Sequence, residues 1–182
     1  MSRRGKDIHL NSLHAGMPGI TPQFGAALAE AATVCFEDQR HVSGVQMNVD
    51  GDFADDVAVH WLTLADPRQA QKCWGDPEAA TEHGAYGVAA LLISEFTELT
   101  VVERSRKGTG FDYWLGKKGD SQPLFQNKAR LEVSGIRVGT ASDIASRTQK
   151  KLRQTSLSDG KLPALVTVVE FGTPRSRVVK KS

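Results

Sequence analysis

The chain has 182 residues, of which 40% are hydrophobic and 24% charged, a size and composition typical of a globular protein with one well-buried core. No apolar run approaches the ~20 residues of a membrane helix, and no apolar stretch follows the basic start MSRRGKD, so neither a membrane span nor a signal peptide is expected. The net charge of +2 conceals an acidic stretch, residues 30–100 with thirteen acids and three bases, and a basic stretch, residues 101–182 with seventeen bases and seven acids.

The first part of the chain predicts a helix followed by a β-hairpin. A Thr-Pro pair precedes residues 22–38, in which apolar residues recur at helical spacing. Two runs rich in β-branched residues, 45–49 and 57–64, are joined by an acidic turn whose spacing does not match an EF-hand loop. Residues 65–76 contain Pro67 and Gly75 and are followed by Pro77, so they are expected to form a loop with at most a short helical turn. Residues 1–76 thus predict a helix–hairpin addition within a single domain.

The second part predicts α/β structure with a mixed central sheet flanked by helices. The expected elements are a buried helix, three strands, an amphipathic helix with a basic face and a central strand: 77–95, 99–104, 111–115, 129–134, 142–155 and 164–171. The basic tail, residues 172–182, is expected either to add an edge strand or to extend into solvent.

Two of these strands each carry one acid among apolar residues, Asp112 in FDYWL and Glu132 in LEVSG. Strand alternation places Glu132 on the same face as Arg130 and Ser134. A buried acid without a partner costs several kcal/mol, so two acids on consecutive strands need a proton, a cation or a metal between them. The alternative is that each acid forms an ion pair with a nearby arginine.

With these elements and acids, the chain resembles the PD-(D/E)xK nuclease superfamily. The resemblance has two grounds: the element order, which is a helix, three strands, a helix and a strand, and the acids on the second and third of the strands. The resemblance covers about residues 77–171 and implies a restriction-endonuclease-like αβββαβ core. It also implies a divalent metal, Mg²⁺ or Mn²⁺. The implied metal ligands are Asp112, Glu132, the carbonyl of Val133, and Glu82 from the first helix, with Glu95 as the fallback for Glu82.

The chain departs from the family's motif at Ser134, where the motif has a lysine. In the family that lysine orients or activates the attacking water and stabilises developing negative charge. Serine can donate a hydrogen bond but supplies no cation. The catalytic set implied by the resemblance is therefore Asp112, Glu132 and Ser134, with Lys128 or a lysine of the following helix, Lys150 or Lys151, supplying the charge.

The basic residues around these strands are expected to hold a nucleic-acid backbone: Arg106, Lys107, Arg130, Arg147, Lys150, Lys151 and Arg153. The resemblance implies a Mg²⁺-dependent nuclease, and it alone suggests bacterial restriction or phage defence as the setting. The alternative is a catalytically degenerate subunit that binds nucleic acid, or a protein partner through the acidic stretch 30–100. A third interpretation of the charge pattern is that acids and bases pair across the folded surface. The oligomeric state stays open.

Other catalytic motifs are absent from the sequence. It contains no GxxxxGK[ST] phosphate loop, no HExxH zinc motif and no GxSxG nucleophile elbow. Cys35 and Cys73 lie far apart without CxxC spacing, which favours reduced thiols in a cytoplasmic protein.

Overall fold

The computed structural model describes residues 5–119, 129–156 and 162–181. Within these residues the fold is α/β, with helices packed on one mixed sheet of eight strands. The strands are β1 Lys6–His9, β2 Val45–Gly51, β3 Asp55–His60, β4 Leu99–Arg104, β5 Tyr113–Lys117, β6 Ala129–Ile136, β7 Ala164–Glu170 and β8 Arg175–Lys181. The helices are α1 Pro22–Asp38, α2 Pro67–Cys73, α3 Pro77–Phe96 and α4 Ala141–Thr155, with a 3₁₀ helix at Leu10–Ala15.

The sheet has the strand order β1-β3-β2-β8-β7-β6-β5-β4. β5 is antiparallel to both of its neighbours, β4 and β6; β7 is parallel to β6, and β8 is antiparallel to β7. The predicted hairpin forms from β2 and β3, and it joins the sheet through a parallel pairing of β2 with β8. The tail is therefore neither an edge nor an extension into solvent, because β8 lies inside the sheet and connects its two halves.

The helices cover both faces of the β6–β7 pair. α4 packs Ile144 onto Val166 and Val168, whereas Leu131 and Val133 belong to the core on the side of α1 and α3. All seven residues of β7 are buried, which confirms the predicted central strand. α1 begins where predicted, because its N-cap threonine accepts a hydrogen bond from the third helical residue. The segment expected as a loop contains α2, two helical turns long.

Small residues set the distance between α3 and its neighbours. A Cβ on Gly84 would lie 3.0 Å from the Cα of Ala32 in α1, and a Cβ on Gly135 of β6 would lie 2.5 Å from the backbone oxygen of Thr81 in α3. The first half of α3 therefore lies directly against β6. No helix in the described part of the chain has the length and apolarity needed to cross a membrane.

The pairing of β5 with β6 ends early. The last paired residues are Tyr113 and Leu131, but β6 continues to Ile136. On the β5 side, residues 132–136 have no strand partner within the described ranges, while on the other side they pair with β7. This open edge of β6 lies between the start of α3 and the second half of α4.

Candidate active site

A cleft of about 580 Å³ occupies the open edge of β6. Acids from α3, from the segment before β5 and from β6 line it: Glu78, Glu82, Asp112 and Glu132. Bases from the end of β6 and from α4 also line it: Arg137, Arg147, Lys150 and Lys151. Carboxylates and cations from four separate segments thus meet in one cleft.

The fold brings Asp112 and Glu132 together. Asp112 immediately precedes β5, and continuing the β5–β6 register by one residue places it opposite Glu132. The two carboxyl groups are close enough to form a hydrogen bond when one of them holds a proton. Because residues opposite each other on paired strands share a face of the sheet, both acids lie on one face. Of the arginines that could form the alternative ion pairs, Arg137 pairs with Asp38, and Arg130 donates to backbone carbonyls.

Both oxygens of Asp112 accept hydrogen bonds. Oδ2 accepts from the backbone N–H of Val133 at 2.8 Å, and Oδ1 accepts from the hydroxyl of Tyr86 at 3.2 Å. The carboxylate thus replaces the backbone acceptor that β5 no longer supplies to β6. The carbonyl of Val133 points to the same side of the strand as its N–H, so it also faces the open edge.

Glu132 is only 1% exposed, and its two oxygens differ in their surroundings. Oε1 accepts from the Lys151 ammonium group, whereas Oε2 is buried and has no donor among the described residues. Burial, and after it the Asp112 carboxylate, raise the pKa of Glu132 to about 7, although Lys151 acts in the opposite direction. Glu132 therefore changes charge near neutral pH. Its second oxygen is available to a proton or a cation.

Two cations of α4 match two positions of β6. The guanidinium of Arg147 donates to Ser134 Oγ at 3.1 Å, and Lys151 donates to Glu132. Four helical residues advance about 6 Å and two strand residues about 6.6 Å, so four positions of α4 span nearly the same length as two of β6. The serine in place of the motif lysine is thus accompanied by an arginine from the next helix.

The third acid of the site is Glu82 and not the fallback Glu95. Glu82 lines the cleft, and its Oε1 accepts from the Tyr86 hydroxyl at 2.7 Å. Glu95 lies thirteen residues further along α3, about 20 Å away along the helix axis, where it pairs with Lys6 at 3.2 Å.

The other basic residues of the expected set have different positions. Lys150 lines the cleft and is exposed, whereas Arg106 and Lys107 in the β4–β5 turn and Arg153 on α4 are exposed but do not line it. Lys128 lies outside the described residues.

The expected contact of Arg130 with nucleic acid requires correction. Its side chain is 2% exposed, with Nε 3.0 Å from the carbonyl oxygen of Leu162 and one terminal nitrogen 3.1 Å from that of Thr155. Arg130 therefore connects the end of α4 to the residues just before β7 inside the protein, where no polyanion can reach it.

Tyr86 occupies the core position that its helical spacing on α3 predicts, but it also lines the cleft, which was not predicted. The relevant signal was the separation of four residues from Glu82, which places both side chains on one face of the helix. Arg137 was also missed as a cleft residue. Its guanidinium is held by Cys35 Sγ at 2.8 Å and by Asp38.

The donor set suits a hard divalent cation that keeps part of its water shell. Within the described ranges, no group of three or more acid, histidine or cysteine side chains is arranged around a single ion position. Mg²⁺, however, usually binds through only one or two carboxylates and keeps several waters. Asp112, Glu132 with its unpaired oxygen, and the Val133 carbonyl fit that requirement. Comparison with protein-family models, with curated proteins and with solved structures finds no match for the chain.

Proposed function

We propose that the chain is a Mg²⁺-dependent phosphodiesterase that cleaves nucleic acid, with a PD-(D/E)xK-like core formed by α3, β4, β5, β6, α4 and β7. The observation that carries the proposal is the meeting of Asp112 and Glu132 beside the Val133 carbonyl at the open edge of β6. The topology supports it. β4, β5 and β6 form a consecutive antiparallel meander, and β7, which follows α4, pairs parallel to β6. Helices pack on both faces of that sheet.

In this proposal each residue of the cleft has a defined role. A bound Mg²⁺ would lower the pKa of a coordinated water and stabilise negative charge on the phosphodiester. Asp112, Glu132, the Val133 carbonyl and Glu82 from α3 would hold the ion, and Glu132 must give up its proton to do so. Lys151, which already donates to Glu132, would supply the positive charge that the motif lysine supplies in the family. Arg147 and Lys150 would bind phosphodiester oxygens.

A specific observation favours the alternative, a subunit that binds without cleaving. Lys151 forms an ion pair with Glu132, and Arg147 donates to Ser134, so side chains of α4 already engage both of these β6 residues. Such a protein would keep the basic side of the cleft for nucleic acid. A protein partner on the acidic stretch 30–100 and a setting in restriction or phage defence stay predictions.

Cleavage assays separate the two functions. The full chain is incubated with single-stranded and duplex DNA and with RNA, in Mg²⁺, Mn²⁺ or EDTA. We expect metal-dependent cleavage by the wild type, and its loss in Asp112→Asn and in Glu132→Gln because each variant removes a negatively charged metal ligand. Asp56→Asn, an exposed acid of β3 outside the cleft, is the matched control and should cleave like the wild type.

The outcomes that would contradict the proposal are distinct. Nucleic-acid binding without cleavage in any metal would support the non-cleaving subunit. Cleavage that persists in both site variants would show that the activity comes from elsewhere. If the wild type neither binds nor cleaves nucleic acid, both functions are excluded.

A further inference from the structure

Tyr86 is a buried tyrosine whose hydroxyl lies between two acids of the cleft. Its side chain is 6% exposed, and its ring packs edge-on against Tyr113, with 5.4 Å between the ring centroids. The hydroxyl oxygen is 2.7 Å from Glu82 Oε1 and 3.2 Å from Asp112 Oδ1. A single hydroxyl proton is thus shared between a carboxylate of α3 and one beside β5.

We propose that Tyr86 is a positioning residue that holds Glu82 and Asp112 in one fixed geometry for a divalent cation. This inference rests on the proposed function and goes beyond it, because it assigns a role to a residue outside the ligand set. Without the hydroxyl, the two carboxylates would repel each other. Glu82, which is exposed, would then be free to turn towards solvent.

The remaining bonds of Asp112 make Tyr86 necessary for its orientation. Oδ2 is fixed by the Val133 N–H, so the Tyr86 hydroxyl is the second donor that prevents the carboxylate from rotating about that bond. Partners that hold metal-binding carboxylates in this way typically contribute 10–100-fold to metal affinity.

The test measures metal affinity rather than activity. We expect Tyr86→Phe to weaken Mn²⁺ binding by roughly 10-fold or more in isothermal titration calorimetry. Tyr113→Phe is the matched control: it removes a buried hydroxyl without a partner among the described residues from the neighbouring ring. Its Mn²⁺ affinity should equal that of the wild type. Circular dichroism of the metal-free proteins checks that all variants are folded.

A double-mutant cycle distinguishes positioning from packing. Glu82→Gln, at an exposed position, should also weaken Mn²⁺ binding, and adding Tyr86→Phe to it should cost less than Tyr86→Phe alone. Additive effects, or an equal loss in Tyr113→Phe, would overturn the inference and indicate general packing. Equal Mn²⁺ affinity of Tyr86→Phe and the wild type would overturn it while the proposed function stands. A wild type that binds no Mn²⁺ would overturn both.

Discussion

Glu132 combines a buried carboxylate, one cationic partner and a neighbouring acid. Its pKa is raised from 4.5 to about 7, first by burial and then by Asp112. Below pH ~4.5 the group is protonated in the folded and unfolded chains alike. Between this pH and about 7 only the folded chain holds the proton. The contribution of Glu132 to the free energy of unfolding is therefore full at low pH, falls as the pH rises towards 7, and is constant above it.

Glu132→Gln should remove this pH dependence. Chemical denaturation without metal, at pH 5 and at pH 8, should show the wild type losing more stability than the variant between the two pH values. Since one pKa unit corresponds to about 1.4 kcal/mol, the difference is expected to be a few kcal/mol. Asp56→Asn controls for the removal of an exposed acid. Parallel stability changes in wild type and Glu132→Gln would show that Glu132 titrates at its ordinary pH.

At the scale of the element, local sequence patterns predicted the structural features that depend on residues close together in the chain. The buried stripe of α4 and the burial of β7 follow from periodicity and β-branched composition, and both are observed. Arg130 was misinterpreted because its partners are carbonyls 25 and 32 positions away, which no local pattern reports. The interior position of β8 was missed for the same reason: its charged sequence is typical of an edge, and its burial depends on pairing with β2.

The contact between α3 and β6 determines whether the acids of the two elements meet. Gly135 allows this contact, because a Cβ there would overlap the backbone oxygen of Thr81 at 2.5 Å. We expect Gly135→Ala to destabilise the protein by about 1–3 kcal/mol, the usual cost of overpacking, and to weaken Mn²⁺ binding by displacing Glu82 and Tyr86. Denaturant unfolding and calorimetry measure the two effects.

Gly5→Ala is the control for the Gly135 substitution. The nearest atom to a Cβ on Gly5 is the backbone oxygen of Asp56 at 3.9 Å, an ordinary contact, so this change should alter stability by no more than about 0.5 kcal/mol. If both alanine variants unfold at the same denaturant concentration as the wild type, α3 can move away from β6 without cost, and the proposed role of the glycine is wrong.

At the scale of the whole molecule, the two charge stretches of the sequence meet in the fold only in part. Arg177 lies 3.5 Å from Asp50 and Arg137 pairs with Asp38, so some acids and bases of the two stretches do pair across the surface. Arg147 and Lys150 differ: each is exposed beside the cleft, and neither has an acid within 4.0 Å in the described part of the chain. The basic side of the cleft therefore keeps positive charge that a polyanion can use.

Binding of nucleic acid should weaken steeply with salt, because each phosphate contact releases counterions. In fluorescence anisotropy titrations with labelled DNA in EDTA, Arg147→Gln/Lys150→Gln should flatten the plot of log K against log salt. Two lost contacts correspond to a slope change of roughly 1.4 on single strands and 1.8 on duplex. Lys6→Gln removes a half-buried cation that pairs with Glu95 near the other end of α3, and it should leave the slope unchanged. An equal slope for wild type and the double variant would place the nucleic acid on another surface, because lost phosphate contacts cannot leave counterion release unaltered.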